Sequence, residues 1–413
     1  MRTTTRTLAA VATAVVLLAT GACSTKSGAG ADSTGSGGVK TGPGVTDGTI
    51  TLGALTDLSG PFAALGRSAL QGEQLYFDQV NQAGGICGRT VRLEVKDHGY
   101  DVQKAVTAFT ELQPKVAALP LVVGSPVVSA ITDDVAKQNL LTFPQGWSST
   151  LLGRPALQLV GSTYSVDMVN GVDFLVRTAG LKPGDKIGHV YFEGEFGEDA
   201  AAGSRYAAKQ AGLELVEQKI KPTDEDMTAQ ATALRAAGVK AVLISAGPKQ
   251  VASLVGVSAA AGSQVPFLAN AASYAPQLLD TPAGPALEKL LYTVSPSPAI
   301  GADLPATQKL VADYRAKYPQ ATIDMGVLAG YNGGSATVAV LKQACADKDL
   351  SRKGILAART KITSLDTGLG IVYDFTDPAK PSSTKSFVLK PAKGEPGGLA
   401  VVEGPVQAAA LAG

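Results

Sequence analysis

Catalytic side chains are what this sequence has least of. It holds two histidines, His98 and His189, and no spacing joins them. No H-E-x-x-H, no pair of C-x-x-C elements and no G-x-S-x-G is present, which excludes the common zinc and serine-hydrolase arrangements. A G-x-x-x-x-G-K-[ST] loop and a strand-linked G-x-G-x-x-G are also absent, so the usual nucleotide cradles are missing. Charge is sparse: 17% of residues are charged and the net charge is +1. No basic patch is interleaved with aromatics, as single-strand binders need, so nucleic acid is not an expected partner. Neither an enzyme, a metal site nor a cofactor is expected. His98, in Asp97-His98-Gly99-Tyr100-Asp101, reads as a hydrogen-bonded loop residue at a strand end. The acidic run Asp224-Glu225-Asp226 reads as a solvated group that favours the next helix N-terminus.

What is present begins with an address. Arg2 and Arg6 precede a short apolar core, Leu8 to Thr20, too short for a comfortable membrane span. It runs into Leu17-Leu18-Ala19-Thr20-Gly21-Ala22-Cys23-Ser24. Small residues before a cysteine resemble a bacterial lipobox. That implies a signal peptide over 1–22 and a lipidated Cys23 as the new N-terminus, the alternative being an ordinary signal peptide with an incidental cysteine. Several acyl chains on one cysteine anchor stably where a single chain is marginal. Residues 23–47 are Ser, Gly, Thr and Ala with little apolar bulk and read as a flexible tether. Such a coil of about 24 residues reaches about 27 Å. Cys87 and Cys345 remain. An even pair in an exported chain suggests one disulfide, with two buried free thiols as the alternative. Closing so long a loop is worth about 5 kcal/mol in the chain-entropy account.

The folded body opens on Thr49 to Tyr100. An apolar run, Ile50 to Leu55, has strand length, and Asp57-Leu58-Ser59-Gly60-Pro61 breaks it. Leu65, Ala69, Gly72, Leu75, Tyr76 and Val80 recur at helical spacing. Gly84-Gly85 ends that helix. Val91, Leu93 and Val95 then alternate with charged residues as a second strand. The pattern repeats through apolar strands Leu119–Val123 and Leu140–Phe143 and the helices Val102–Leu112 and Val128–Lys137. After a pause near Ser162 to Asp167, a second series of the same kind runs from Ser165 to Ala269. Helices Thr307–Lys317 and Gly326–Ala344 follow, then a final hairpin of Gly370–Phe375 with Ser386–Lys390. The tail past Gly394 reads as an edge strand with a frayed end. The residues alone give an α/β chain with two Rossmann-like lobes built on parallel sheets.

The opening unit also carries a likeness. Leu58-Ser59-Gly60-Pro61, Gly66, Gly72 and the run Asn81-Gln82-Ala83-Gly84-Gly85-Ile86-Cys87-Gly88-Arg89 resemble the start of the type I periplasmic solute-binding proteins. The subgroup is the leucine/isoleucine/valine-binding class, which includes amide and urea receptors, and the likeness continues to about Asp374. It implies three chain crossings that form a three-stranded hinge. Lobe 1 would comprise 48–163 plus 296–366, and lobe 2 would comprise 164–295 plus 367–410. It also puts Cys87 and Cys345 in one lobe.

Binding needs a concave site, apolar walls and a few fixed polar groups. In open parallel sheets ligands sit beyond the strand C-termini. Loops there supply Ser59, Phe62 and Leu65; Ser125, Pro126, Val128 and Ser129 at a helix N-terminus; and Gln145, Gly146, Trp147 and Ser148. The second lobe adds Tyr164, Glu195, Phe196, Gly247, Asn270 and Tyr274. The likeness implies that these loops face each other across a cleft. Trp147, in a loop flanked by glycine and serines, reads as a ligand-stacking wall, with core packing as the alternative. Phe196 stands where the family has an aromatic before glycine. Amino-acid receptors of the class offer a serine, a Ser/Thr and an acid where this chain has Val128, Trp147 and 270–272. An apolar or aromatic small molecule, or an amide, therefore stands beside an amino acid as ligand.

The expected function is an extracytoplasmic receptor of an ABC importer. It would bind a branched-chain or hydrophobic amino acid, or a related small organic compound, by hinge closure. An amide/urea or aromatic-acid receptor, or a sensing lipoprotein coupled to signalling, is the alternative. The expected partners are the small-molecule ligand, the permease subunits and the membrane through the lipid anchor. The chain is expected to be a monomer at the outer face of the cytoplasmic membrane.

Overall fold

A computed structural model describes residues 33–412; the signal peptide, Cys23 and the first part of the tether lie outside the described residues. The described residues start with β1 (Ser33–Thr34) and β2 (Lys40–Thr41). It then builds β3 (Thr49–Thr56), α1 (Ala63–Gln82), β4 (Thr90–Asp97), α2 (Val102–Leu112), β5 (Leu119–Val123), α3 (Ser125–Lys137) and β6 (Thr142–Gln145). A second series follows: α4 (Tyr164–Ala179), β7 (Lys186–Phe192), α5 (Glu195–Ala211), β8 (Glu214–Ile220), α6 (Thr228–Ala237) and β9 (Ala241–Ser245). It continues with α7 (Pro248–Ala260), β10 (Phe267–Asn270), α8 (Gly284–Leu290) and β11 (Leu291–Ser295). Then come α9 (Pro305–Lys317), α10 (Met325–Ala346), β12 (Asp349–Leu350) and α11 (Arg352–Arg359). The last strands are β13 (Leu365–Asp366), β14 (Val372–Tyr373), β15 (Ser386–Pro391) and β16 (Leu399–Val406).

Two sheets organise this α/β fold. The smaller has four parallel strands in the order β4-β3-β5-β6. The larger has seven, in the order β16-β15-β11-β10-β9-β7-β8. Its five strands from β11 to β8 are parallel, β15 joins β11 antiparallel, and β16 pairs antiparallel with β15. Parallel strands covered on both faces need unbroken apolar runs. β5 (LPLVV) and β9 (AVLIS) supply them, and every residue of both is buried. The edge strand β4 alternates instead, with Val91 buried between exposed Thr90 and Arg92. Helices α1 and α10 cover one face of the smaller sheet, and α2 and α3 the other. Helices α4 and α5 cover one face of the larger sheet, and α6 to α8 the other.

Two glycines let α1 and α10 touch backbone to backbone. A Cβ on Gly72 would lie 2.1 Å from the Val327 carbonyl oxygen, and one on Gly330 would lie 1.8 Å from that of Ala69. Cys87, in the loop after α1, and Cys345, in the last turn of α10, are joined in a disulfide with their Cα atoms 6.0 Å apart. The chain passes between the sheets after β6, after β11 and after β14. The three passages lie side by side. The Gly161 N–H donates to Ser382 Oγ at 2.8 Å, and a Cβ on Gly161 would lie 2.8 Å from Pro296.

Two expectations are corrected. The second part of the tether, from Ser33 on, is docked on the smaller sheet's unit. β2 pairs in parallel with β12, Val39 and Val45 are buried, and the Thr51 N–H donates to the Gly44 carbonyl at 2.7 Å. Those two valines supply the apolar bulk that a free coil would lack. Arg89, the end of the Asn-x-x-Gly-Gly-Ile-x-Gly-Arg run, is buried and donates to the Thr46 carbonyl at 2.7 Å. The expected hairpin of 370–375 with 386–390 does not form. β14 pairs with β13, while β15 pairs with β11 and β16, so the tail past Gly394 supplies the edge strand. Among the described residues, no helix is long and apolar enough to cross a membrane.

Candidate functional site

The strand ends and the passages surround a cleft with two adjoining chambers. The larger holds about 610 Å³ with its open mouth. The smaller sheet's unit contributes Leu65, Gln145, Trp147, Met325, Ala329 and Asn332 to its wall. The larger sheet's unit contributes Tyr164, Asp167, Asn270, Ala271, Ala272 and, at the end of β11, Ser295, and the passages add Val160, Pro296 and Ser297. In the second chamber Phe62, Tyr100, Val123 and Gly124 face Phe196, with Leu65, Gln145, Trp147, Tyr164 and Ala272 shared between chambers.

Local chemistry fixes the aromatic walls. The buried Asp57 carboxylate accepts the N–H groups of Ser59 (3.2 Å), Gly60 (2.5 Å) and Phe62 (2.9 Å). Those bonds hold the Ser-Gly-Pro turn and aim Phe62 inward. His98 is fully buried, and its Nδ1 accepts the Tyr100 N–H at 3.0 Å. Burial pushes its pKa down, so the ring stays neutral and able to accept. The Trp147 indole N–H donates to the Val160 carbonyl at 2.9 Å, and the Trp147 carbonyl accepts the Tyr164 N–H at 2.8 Å. The rings then run in series, Tyr100–Phe62 at 4.9 Å between centroids, Phe62–Phe196 at 6.4 Å, Phe196–Tyr164 at 4.6 Å and Tyr164–Trp147 at 6.1 Å. The Phe62–Phe196 pair joins the two sheet units directly. A second link joins Ser149 to Asp199, the serine hydroxyl donating.

The polar groups are few and uncharged, Asp167 apart. Gln145 donates from Nε2 to the Ala329 carbonyl at 3.2 Å, leaving its buried Oε1 unpartnered. Asn332 donates to the Tyr373 hydroxyl at 3.3 Å, leaving Oδ1 unpartnered. Asn270 accepts from Ser245 at 2.7 Å, leaving Nδ2 unpartnered. Each such buried atom costs about 1–3 kcal/mol until something bonds it. Asp167 Oδ1 accepts from Ser162 (2.5 Å) and Ser386 (2.7 Å). Burial outweighs those bonds and pushes its carboxyl up to about 7. Burial also pushes the Tyr164 phenol up to about 12. No lysine or arginine among the described residues lines either chamber. Among the described residues, no group of three or more His, Cys, Asp or Glu is placed to hold a metal ion.

The structure brings Phe62, Leu65, Gln145, Trp147, Tyr164, Phe196 and Asn270 together at the cleft. Ser125 stands just behind, its hydroxyl buried beside the Tyr164 phenol. Gly146 backs onto it, since a Cβ there would lie 2.6 Å from the Ser125 nitrogen. Ser59 is exposed on its turn, and Pro126, Ser129, Glu195 and Gly247 do not line either chamber. Val128 belongs to the core instead, packed with Leu119, Val122 and Ile131, because α3 turns that side to its sheet. Ser148 is spent on capping the short turn that follows it, accepting the Thr150 N–H at 3.4 Å. Tyr274 donates to the Gly398 carbonyl at 2.7 Å and so holds the tail. Sequence reasoning passed over Tyr100, Asp167, Met325, Ala329, Asn332 and the passage residues. A lone Asn inside the apolar α10 and a lone Asp in the first turn of α4 were the available signals.

Comparison with known proteins agrees with this architecture. A profile of the periplasmic binding protein family matches residues 49–394. A fatty acid ABC transporter substrate-binding protein from Thermomonospora curvata is 47% identical, with a TM-score of 0.90 over 92% of this chain and 97% of that one. A branched chain amino acid ABC transporter from Thermus thermophilus with bound valine is 20% identical, with a TM-score of 0.78 over 88% of this chain and 98% of that one, a likeness of fold alone. Leu/Ile/Val-binding protein homolog 3 of Brucella melitensis is 27% identical over 201 residues, 47% of this chain and 53% of that protein. The chain spans about half the length of the curated relatives it matches. Two α/β units, three adjacent passages and a cleft between strand ends coincide with a family match over most of the chain: it belongs to the periplasmic binding proteins, in the type I fold shared by the leucine/isoleucine/valine-binding class.

Proposed function

We propose that this chain is the extracytoplasmic receptor of an ABC importer, a monomer held to the membrane by lipid on Cys23 and catalysing no reaction. Its lobes, 48–163 with 296–366 and 164–295 with 367–410, close on a small molecule about the three passages. The ligand has an apolar body and one polar end, and an aliphatic carboxylic acid is the first candidate. The observation that carries this reading is the wall of the cleft. Aromatic and aliphatic groups from both units surround uncharged polar atoms without partners, with one acid already bonded and, among the described residues, no lysine or arginine. The 47%-identical relative from Thermomonospora curvata, a fatty acid ABC transporter substrate-binding protein, supports it. A ligand shifts the lobes only if it binds the closed arrangement better than the open one. Contacts from both units supply that difference.

The test is a thermal-shift and calorimetry series with octanoate, branched aliphatic acids, benzoate, primary amides, valine and leucine. Aliphatic acids are expected to raise Tm, with leucine leaving it unchanged. Tighter binding of leucine than of its deaminated acid would overturn the ligand class. One observation favours a second reading: Asp167 in the wall would pair with an ammonium, as in an amino-acid receptor. Binding would then weaken as pH falls below about 7, where Asp167 takes up its proton.

A further inference from the structure

Behind the cleft wall lies a line of buried polar side chains that the binding reading has not used. His189, Ser245 and Asn270 sit on the neighbouring strands β7, β9 and β10, and Ser204 lies on α5, which covers that face. All four are buried, Asn270 being 1% exposed and the others 0%. His189 Nδ1 is 2.8 Å from Ser204 Oγ, His189 Nε2 is 2.9 Å from Ser245 Oγ, and Ser245 Oγ is 2.7 Å from Asn270 Oδ1. Asn270 Nδ2 has no partner, and Asn270 lines the larger chamber.

Counting hydrogens allows this line two directions, and the Asn270 amide oxygen lying against Ser245 selects one of them. A serine hydroxyl has one proton to donate. Ser245 gives its proton to Asn270 Oδ1, so toward His189 it can only accept. His189 Nε2 must therefore carry a hydrogen. Burial pushes the His189 pKa down to about 3, so the ring is neutral and has one N–H. Nδ1 is then bare and accepts the Ser204 hydroxyl at 2.8 Å, a shorter approach than the 3.0 Å to the Ala201 carbonyl, the other acceptor of that one proton; with Ser204 donating to Ala201 instead, His189 would carry its hydrogen on Nδ1 and the line would run the other way. We propose that this relay, from Ser204 through His189 and Ser245, holds the Asn270 amide with its NH₂ group facing the cleft. At that point the site is thereby a hydrogen-bond donor and matches a ligand group that accepts, while Gln145 Oε1 and Asn332 Oδ1 elsewhere in the wall can only accept. An amide on the cleft wall would otherwise turn over to suit a donor or an acceptor. Here turning it would require reversing every bond behind it.

The inference rests on the proposed receptor reading and, at that point of the wall, favours an acceptor such as a carboxylate over an amine. Its test has two arms. Long-range ¹H–¹⁵N spectra of the mature, tag-free protein report which nitrogen of each imidazole carries hydrogen. The chain has two histidines, and His98→Gln assigns them. A neutral His189 with hydrogen on Nε2 between about pH 5 and 8 is expected. Hydrogen on Nδ1 overturns the proposal, because Ser245 must then donate to His189 and Asn270 must turn its carbonyl to the cleft. In the second arm octanoate and octylamine, of equal chain length, are titrated into wild type and Asn270→Asp. Octanoate is expected to be the tighter in wild type and to weaken about tenfold to hundredfold in the variant. Equal octanoate affinity in both proteins overturns the donor assignment. Binding of neither probe, with the Nε2–H tautomer found, supports the relay and counts against the aliphatic-acid reading instead.

Discussion

Asp167 joins the cleft to the passages. Its carboxyl takes hydroxyl protons from Ser162 on one passage and Ser386 just past another. Its pKa rises from 3.8 to about 7 on folding, because burial disfavours the charge. A group with a raised folded pKa contributes stability that is full below its unfolded pKa and lost as pH climbs through the folded one. The window for Asp167 is thus about pH 4 to 7. Asp167→Asn keeps an oxygen for the two hydroxyls and cannot ionise. The wild type should therefore lose Tm relative to the variant as pH rises through that window. Glu73 and Asp324, also buried acids with raised pKa, are common to both proteins and cancel, whereas Asp199, whose charge adds to the Asp167 shift, titrates together with it. A difference in Tm that stays flat from pH 4 to 8 would refute the assignment.

Among the elements, the α1–α10 pair decides the shape of the smaller unit, since the start of α10 also carries Met325, Ala329 and Asn332 to the cleft. A methyl group at Gly330 has no room against the Ala69 carbonyl. Gly330→Ala should cost about 1–3 kcal/mol or more by overpacking, read from urea unfolding. The far ends of the same helices are tied by Cys87–Cys345. Reducing that bond, or replacing both cysteines by serine, should cost about 2–5 kcal/mol. Ligand affinity should change little, because the bond ties elements of one unit and neither cysteine lines the cleft.

The strands that make the sheets were legible because buried parallel strands are unbroken apolar runs, as in β5 and β9. The strand-end loops of the site were legible for the same reason, since they follow those runs. Helix α11 was not legible: it is short, and its burial depends on Arg352 and Arg359 donating to the carbonyls of Val116 and Leu157. Those partners are remote in sequence. The same holds for Pro296 and Ser297, which carry no local pattern and reach the cleft through the side-by-side packing of the passages. The relay at Asn270 also escaped sequence reading, because the register of β7 on β9 pairs His189 with Leu243, and only the folded arrangement lets its ring reach Ser245 two residues further on.

At the scale of the whole molecule, the contact that matters is the ring series crossing between the units. Trp147 is the one tryptophan of the chain and stands in both chambers. Ligand titration should therefore give a saturable change in intrinsic fluorescence, and its absence with a ligand proven by calorimetry would place that ligand elsewhere. Phe196→Ala removes the larger unit's half of the Phe62 pair. It should weaken binding by about 1–3 kcal/mol, roughly fivefold to a hundredfold.

Under the proposed lipid anchoring at Cys23, the docked segment at the start of the body would decide which half of the receptor moves. Nine residues separate Cys23 from Ser33, a span of about 35 Å at full stretch. With lipid on Cys23, the four-stranded jaw is moored on a short leash and the seven-stranded jaw is the one left to swing. Closure then becomes a motion toward a stationary platform, and the mouth keeps a bounded height above the bilayer whether the jaws are shut or apart.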